Sequence, residues 1–129
     1  EGSDLTIITY GSQVFRALQA AREVESQHKV SIEVIDLRTI VPYDKECVFE
    51  SFRKTGKALV TCEAQRTGCF GNTIVADIIG DSENINYVDG PIKLIAAADT
   101  PVPFAKELEE AHLPTVEKLV IAIKELLGY

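Results

Sequence analysis

The chain alternates between two hydrophobic periods, and that alternation restricts its possible folds more than any single motif. Four short apolar runs rich in β-branched residues read as strands of a buried parallel sheet: Leu5 to Tyr10 (LTIITY), Val30 to Leu37 (VSIEVIDL), Ala58 to Cys62 (ALVTC) and Ile92 to Ala97 (IKLIAA). In the second run, Ile32, Val34 and Leu37 are expected to face inward. Between the runs the period lengthens. From Ser12 onward, Val14, Ala17, Leu18, Ala21 and Val24 fall on one helical face. Pro42 and Asp44 mark a helix entrance, with Asp44 as the N-cap and Val48, Phe49 and Phe52 on the apolar face. Arg53 and Lys54 suit the negative end of that helix, and Gly56 stops it. Ile74, Val75, Ile78 and Ile79 predict a short helix ending at Gly80. Val116, Leu119, Val120, Ile123, Leu126 and Leu127 predict a last helix beginning near Thr115. The polar stretch Asp81 to Asn86 is expected to be exposed. Asp99 to Phe104 (DTPVPF) can be neither helix nor central strand, because its two prolines fix φ and lack an N–H.

Strands alternating with helices imply an α/β fold, a doubly wound sheet between two helical layers. Right-handed crossovers leave 2-1-3-4 as the simplest strand order. At 129 residues the chain makes one domain, 1–129, with a real core. No apolar run reaches the roughly 20 residues of a membrane helix. The opening residues EGSD read as a linker entering a domain rather than a signal peptide.

Charge narrows the partners. Thirteen basic against twenty acidic residues give a net charge of −7, which argues against nucleic acid. The acids either keep the domain soluble or favour basic partners. The three cysteines, Cys47, Cys62 and Cys69, have no metal-binding spacing and are expected to be reduced, packed thiols.

Three chemistries can be weighed from the residues. Gly68 and Gly71 in TGCFGN, with Arg66 nearby, form a GxxG that either cradles an anion or lets the loop pack against the sheet. Cys62 ends a strand beside Glu63, but the only histidines, His28 and His112, lie in a helix exit and a loop with no spacing that joins them to it, so no catalytic residue is assigned. Two histidines without helical spacing and scattered acids give no metal shell. Arg38 can pair with Asp36 or Asp99 and hold the loops after two strands together. Asp89, just before Gly-Pro, suits a turn.

EVIDLRTIVPYDKE (33–46) and DTPVPF (99–104), with SDLTIITYGS, FGNTIVADI and LPTVEKLVIAIKELL, resemble the C-terminal domain of the β subunit of thiamin-diphosphate-dependent 2-oxo-acid dehydrogenases, in the transketolase superfamily. The resemblance runs from Asp4 to Leu127. It implies the transketolase C-terminal fold, the core above plus an antiparallel strand contributed upstream, so that the sheet is mostly parallel. It implies that the chain is a fragment whose parent oxidatively decarboxylates a 2-oxo acid and passes the acyl group to a lipoyl group. Thiamin diphosphate and magnesium would be held elsewhere in the parent, since the GDG-asparagine motif is absent here, and the domain alone would bind neither and be inactive. Pro42, Tyr43, Pro101, Val102, Pro103 and Phe104 become expected contacts with the upstream pyrimidine-binding domain and the α subunit. Asp36, Arg38, Glu63, Gly68 and Gly71 become loop architecture. Asp89 and the chain end at Tyr129 become the expected receptors for the basic subunit-binding domain of the dihydrolipoyl acyltransferase. The implied setting is cytoplasmic, or the mitochondrial matrix in a eukaryote. DTPVPF argues against transketolase itself and deoxyxylulose-phosphate synthase, which stay open as alternatives together with a free-standing α/β anion-binding module that uses the Gly68–Gly71 loop. EAQRTGCFG is nearer the branched-chain type than the pyruvate type, with acetoin dehydrogenase also open.

Overall fold

A computed structural model describes residues 2–128. Four strands, β1 (Leu5–Thr9), β2 (Ile32–Asp36), β3 (Ala58–Gln65) and β4 (Ile92–Ala97), form one parallel sheet in the order β2-β1-β3-β4. The expected topology is the observed one. The antiparallel strand implied by the resemblance is not among the described residues. β1 is buried throughout and β3 over its first five residues, which is why LTIIT and ALVTC carry apolar residues without alternation. The incoming chain lies against β2, where the N–H groups of Ser3 and Asp4 both donate to the Ser31 carbonyl.

Helices α1 (Gln13–Gln27) and α5 (Val116–Leu127) cover one face of the sheet; α2 (Lys45–Thr55) and α3 (Phe70–Gly80) cover the other. Leu5, Ile7 and Leu59 pack under the first pair, and Ile8 and Val60 under the second, where they meet Phe52 of α2. Each central strand therefore supplies both cores by alternating its side chains. The inward set expected for β2 divides in the same way: Ile32 and Val34 join one core and Leu37 the other.

Local signals behave as the residues dictate. The Asp44 carboxylate accepts from the Cys47 N–H at 3.0 Å, and Gly56 ends α2 in the left-handed region at φ 67°. Under α2 a buried hydroxyl cluster replaces apolar packing. Thr6 Oγ1 lies 2.7 Å from Ser51 Oγ and 2.9 Å from Thr55 Oγ1. These partners explain how three polar side chains tolerate burial.

Four expectations are corrected. The buried stripe of α1 is Gln13, Ala17, Ala20, Ala21 and Val24, with Val14 and Leu18 only half-buried; alanines face α5 because close helix contact needs small side chains. β3 runs on to Gln65 with a register irregularity after Thr61. A helix, α4 (Lys106–His112), occupies what reads as loop, and His112 closes it. Asn84, in the stretch expected to be exposed, is completely buried in a 3₁₀ turn (Asn84–Tyr87), where it accepts from Arg53 Nε at 2.7 Å.

Candidate functional site

The residues singled out from sequence separate onto opposite ends of the sheet. At the carboxyl end, Arg38 pairs with Asp36 at 2.5 Å and stands in water. Of the two partners open to Arg38 from sequence, Asp36 is the one taken. Asp99 instead accepts from the Thr67 N–H at 2.8 Å and from Thr67 Oγ1 at 2.7 Å, and these bonds hold its carboxyl below the usual carboxylate range. The loops after β3 and β4 are thereby tied together. Glu63 is exposed and accepts from Ser12 Oγ at 2.5 Å, which puts a carboxylate beside the start of α1, the favourable end for negative charge.

The glycine loop is architectural. Gly68 sits at φ 77°, a conformation that favours glycine. Gly71 lies in the first turn of α3 rather than in the loop, and a Cβ there would come within 2.7 Å of Leu94 Cδ1. Helix α3 can press against the sheet because that atom is missing.

Cys62 is completely buried and contacts Tyr10 and Cys69. Burial and the neighbouring Cys69 thiol push it up to about 11, the wrong direction for a nucleophile at neutral pH. His112 is bonded elsewhere, its Nδ1 lying 3.2 Å from Thr100 Oγ1. His28 caps the far end of α1, at the opposite end of the sheet. Cys69 is buried, but Cys47 is exposed, which corrects the expectation that all three thiols are packed. It lies on the outer side of α2, one position off the apolar stripe.

The proline-rich loops make the apolar part of this end. Val41 is 85% exposed, Val102 71% and Phe104 105%. Pro42 and Pro101 are exposed and Pro103 is half-buried. Tyr43 is different. It is buried, its ring stands edge-on to Phe70 at 5.5 Å, and its hydroxyl donates to Asp77 Oδ2 at 2.7 Å. Asp77 also pairs with Lys45 at 2.8 Å, and the contacts with Lys45 and Tyr43 hold its carboxyl below the usual carboxylate range against a small opposing effect of burial. Tyr43 thus supports the exposed Val41–Pro42 step from below. An open groove of about 410 Å³ lies beside it, lined by Ile40, Pro42, Phe70 and Thr73 among others.

At the amino end of the sheet stands Asp89, its side chain 78% exposed and its carboxylate 3.8 Å from Lys57 Nζ. Its N–H donates to the Gly56 carbonyl at 2.9 Å, so the turn carrying it is fastened to the end of α2. Ile85, Tyr87 and Val88, in the segment just before it, are each about half exposed. Helix α5 runs back to this end, where Lys93 pairs with Glu125. Tyr129 lies outside the described residues.

Comparison with known proteins agrees with this geometry. The model of the family described as transketolase, C-terminal domain, matches residues 1–119. The chain belongs to the transketolase C-terminal domain family. Across 128 residues this domain is 38% identical to the mitochondrial pyruvate dehydrogenase E1 component subunit beta of Saccharomyces cerevisiae, covering 99% of the chain and 35% of that protein. It is 39% identical to the beta subunit of acetoin:2,6-dichlorophenolindophenol oxidoreductase of Bacillus subtilis, covering 99% and 36%. The pyruvate dehydrogenase E1 component subunit beta of Staphylococcus aureus is 40% identical, with coverage of 100% and 38%. Among solved structures, a split-gene transketolase in an inactive beta4 tetramer superposes with a TM-score of 0.79 at 26% identity, covering 99% of this chain and 39% of the other. The chain spans little more than a third of the length of these curated relatives.

Among the described residues no group of three His, Cys, Asp or Glu side chains converges to hold a metal ion, and the diphosphate-magnesium motif is absent from the sequence. No described helix is long and apolar enough to cross a membrane. Sequence reasoning missed the exposed apolar residues Ile85, Tyr87 and Val88 just before Asp89. The signal was present as two β-branched residues and a tyrosine in a stretch too short and too polar to be core.

Proposed function

We propose that this domain is the assembly and docking module of the β subunit of a thiamin-diphosphate-dependent 2-oxo-acid decarboxylase component. The parent reaction is oxidative decarboxylation of a 2-oxo acid with acyl transfer to lipoyl groups. One observation carries the reading: 38–40% identity, over essentially the whole domain, to β subunits of pyruvate dehydrogenase and of an acetoin oxidoreductase.

In this reading the carboxyl end faces the chain's own upstream pyrimidine-binding domain and the α subunit. Its support is the apolar surface at Val41, Val102 and Phe104, which association would remove from water. Pro42, Pro101 and Pro103 stiffen the loops that present it. Tyr43 acts as a prop rather than a contact. Asp36, Arg38, Glu63, Gly68 and Gly71 shape the same loops. Thiamin diphosphate and magnesium belong to the parent's other domains, and the isolated domain neither binds them nor decarboxylates. Calorimetry with thiamin diphosphate and magnesium checks this; micromolar binding to the isolated domain would overturn it.

The amino end, with Asp89 and the chain end at Tyr129, receives the basic subunit-binding domain of the acyltransferase. An exposed carboxylate that follows the half-exposed apolar residues Ile85, Tyr87 and Val88, on a domain of charge −7, supports this. An arginine on the partner makes shorter, charge-assisted bonds than the 3.8 Å contact with Lys57, and so displaces it. In the assembled enzyme, Asp89→Ala is expected to weaken this docking by about 2 kcal/mol, roughly thirtyfold in Kd. Decarboxylation assayed with an artificial electron acceptor is spared. Added salt weakens the wild-type complex more than the variant. Unchanged affinity and salt dependence would reduce Asp89 to a turn residue.

A further inference from the structure

On the face of the sheet covered by α1 and α5, the carboxyl ends of the central strands hold a small cluster of orphaned polar atoms. Thr9 Oγ1, Thr61 Oγ1 and both Nε2 and Oε1 of Gln13 are buried without a hydrogen-bond partner among the described residues. All three residues are 0% exposed. Thr9 and Thr61 are register partners on β1 and β3, on the same face as Ile7 and Leu59 one pleat earlier. Gln13 opens α1 only four residues after Thr9, and the turn at Gly11 folds it back over the same end of the sheet. This is the point where chain connections leave the sheet in opposite directions, β1 being flanked by β2 and β3.

The atoms specify their ligand. The glutamine amide offers an obligatory donor and an obligatory acceptor, and the two hydroxyls can serve as either. A cation is disfavoured by the amide NH₂ and by the positive end of α1. An anion is disfavoured by the Glu63 carboxylate, which accepts from Ser12 in the same turn. What remains is a small neutral molecule that donates and accepts at once. We propose that Thr9, Gln13 and Thr61 form an internal water site that bridges β1, β3 and the first turn of α1. Internal waters characteristically serve two to four buried polar groups, the number assembled here. The water joins the helix start to both central strands in place of direct side-chain bonds, and so fixes where α1 begins.

Magnetic resonance on the 129-residue chain tests this by water-selective cross-relaxation at the Gln13 side-chain amide. The expected result is a cross-peak with the sign produced by water that stays at least as long as the protein takes to tumble. Thr61→Val keeps the shape and removes one partner, and is expected to abolish that cross-peak while the backbone spectrum shows the chain still folded. A cross-peak unchanged in Thr61→Val, or none in the wild type, overturns the shared site. A high-resolution crystal structure of the full protein gives an independent answer. Solvent density bonded to the Gln13 amide and both threonines supports the site, whereas a direct bond from that amide to Thr9 or Thr61 refutes it.

Discussion

Gly56→Ala is the substitution whose effect the structure specifies most closely. Gly56 ends α2 at φ 67°, its N–H donating to the Phe52 carbonyl at 2.7 Å and its carbonyl accepting from Asp89. A side chain held in the left-handed region costs about 1–2 kcal/mol. The added Cβ would also lie 2.7 Å from Asp89 Cβ and 2.8 Å from the Tyr87 carbonyl oxygen, both anchored by backbone. Overpacking of this kind costs about 1–3 kcal/mol. Alanine's less flexible unfolded chain offsets roughly 0.5 kcal/mol. The net loss is about 3 kcal/mol, or roughly 10 °C in Tm for a domain of this size. Gly68→Ala is the control, since its φ of 77° carries the same backbone cost but nothing lies within 4 Å of the new Cβ; it should lose only about 1 kcal/mol. Urea unfolding of both variants, with m unchanged, measures the difference. Adding Asp89→Gly to Gly56→Ala removes one clashing atom and should restore part of the loss, a coupling that a double-mutant cycle reads directly. Equal losses at Gly56 and Gly68 would show that the contact with the Asp89 turn is yielding, and the reasoning would fail.

Other outcomes follow from single contacts. Phe52, a completely buried side chain of α2, should cost about 3–5 kcal/mol on substitution by alanine, measured by the same urea titration. Thr6→Val removes the bonds to the Ser51 and Thr55 hydroxyls, which keep Glu33 and the Ser51 and Lys57 carbonyls as partners, and should cost about 0.5–1.5 kcal/mol, more than an isosteric change at an exposed threonine such as Thr39. Asp77 is held below its ordinary range by Lys45 and Tyr43, so its contribution is present above the unfolded carboxylate value and lost as pH falls through the folded one. The stability gap between wild type and Tyr43→Phe should therefore be wider at pH 7 than in acid, and a gap that widens on acidification contradicts the assignment. Thiol labelling of the native chain should proceed at exposed Cys47 and reach Cys62 and Cys69 only on unfolding; equal rates at Cys47 and Cys62 would refute the packing described here.

Much of this fold is legible from local chemistry. The β4 bounds Ile92–Ala97, the cap at Asp44 and the stop at Gly56 each follow from one residue type doing what its backbone or side chain permits. Failures occur where tertiary contact overrides a local rule. KELEEAH carries no apolar stripe, so α4 has nothing to announce it, and Leu108 within it is 60% exposed. Asn84 reads as loop because its burial depends on Arg53, thirty-one residues away. Gln13 reads as surface, yet it takes a core position where Val14 would be expected. The division of candidate residues between the two ends of the sheet was within reach, since it needs only strand direction. The burial of Tyr43 was not, because it depends on Phe70 and Asp77 arriving from α3.

The hydroxyl cluster of Thr6, Ser51 and Thr55 has a consequence for how the domain responds to force and solvent. Apolar packing is tolerant of sliding, since one methyl group replaces another at little cost, whereas hydroxyls 2.7 Å and 2.9 Å apart accept only one alignment. Thr6 belongs to the central strand and the other two to α2, so the cluster works as a detent that indexes helix against sheet. Because Gly56 and the Asp89 turn are fastened to the end of that helix, the detent sets the height at which the Asp89 carboxylate stands above the domain. A one-turn slip of α2, about 5.4 Å, would break every bond of the cluster at once.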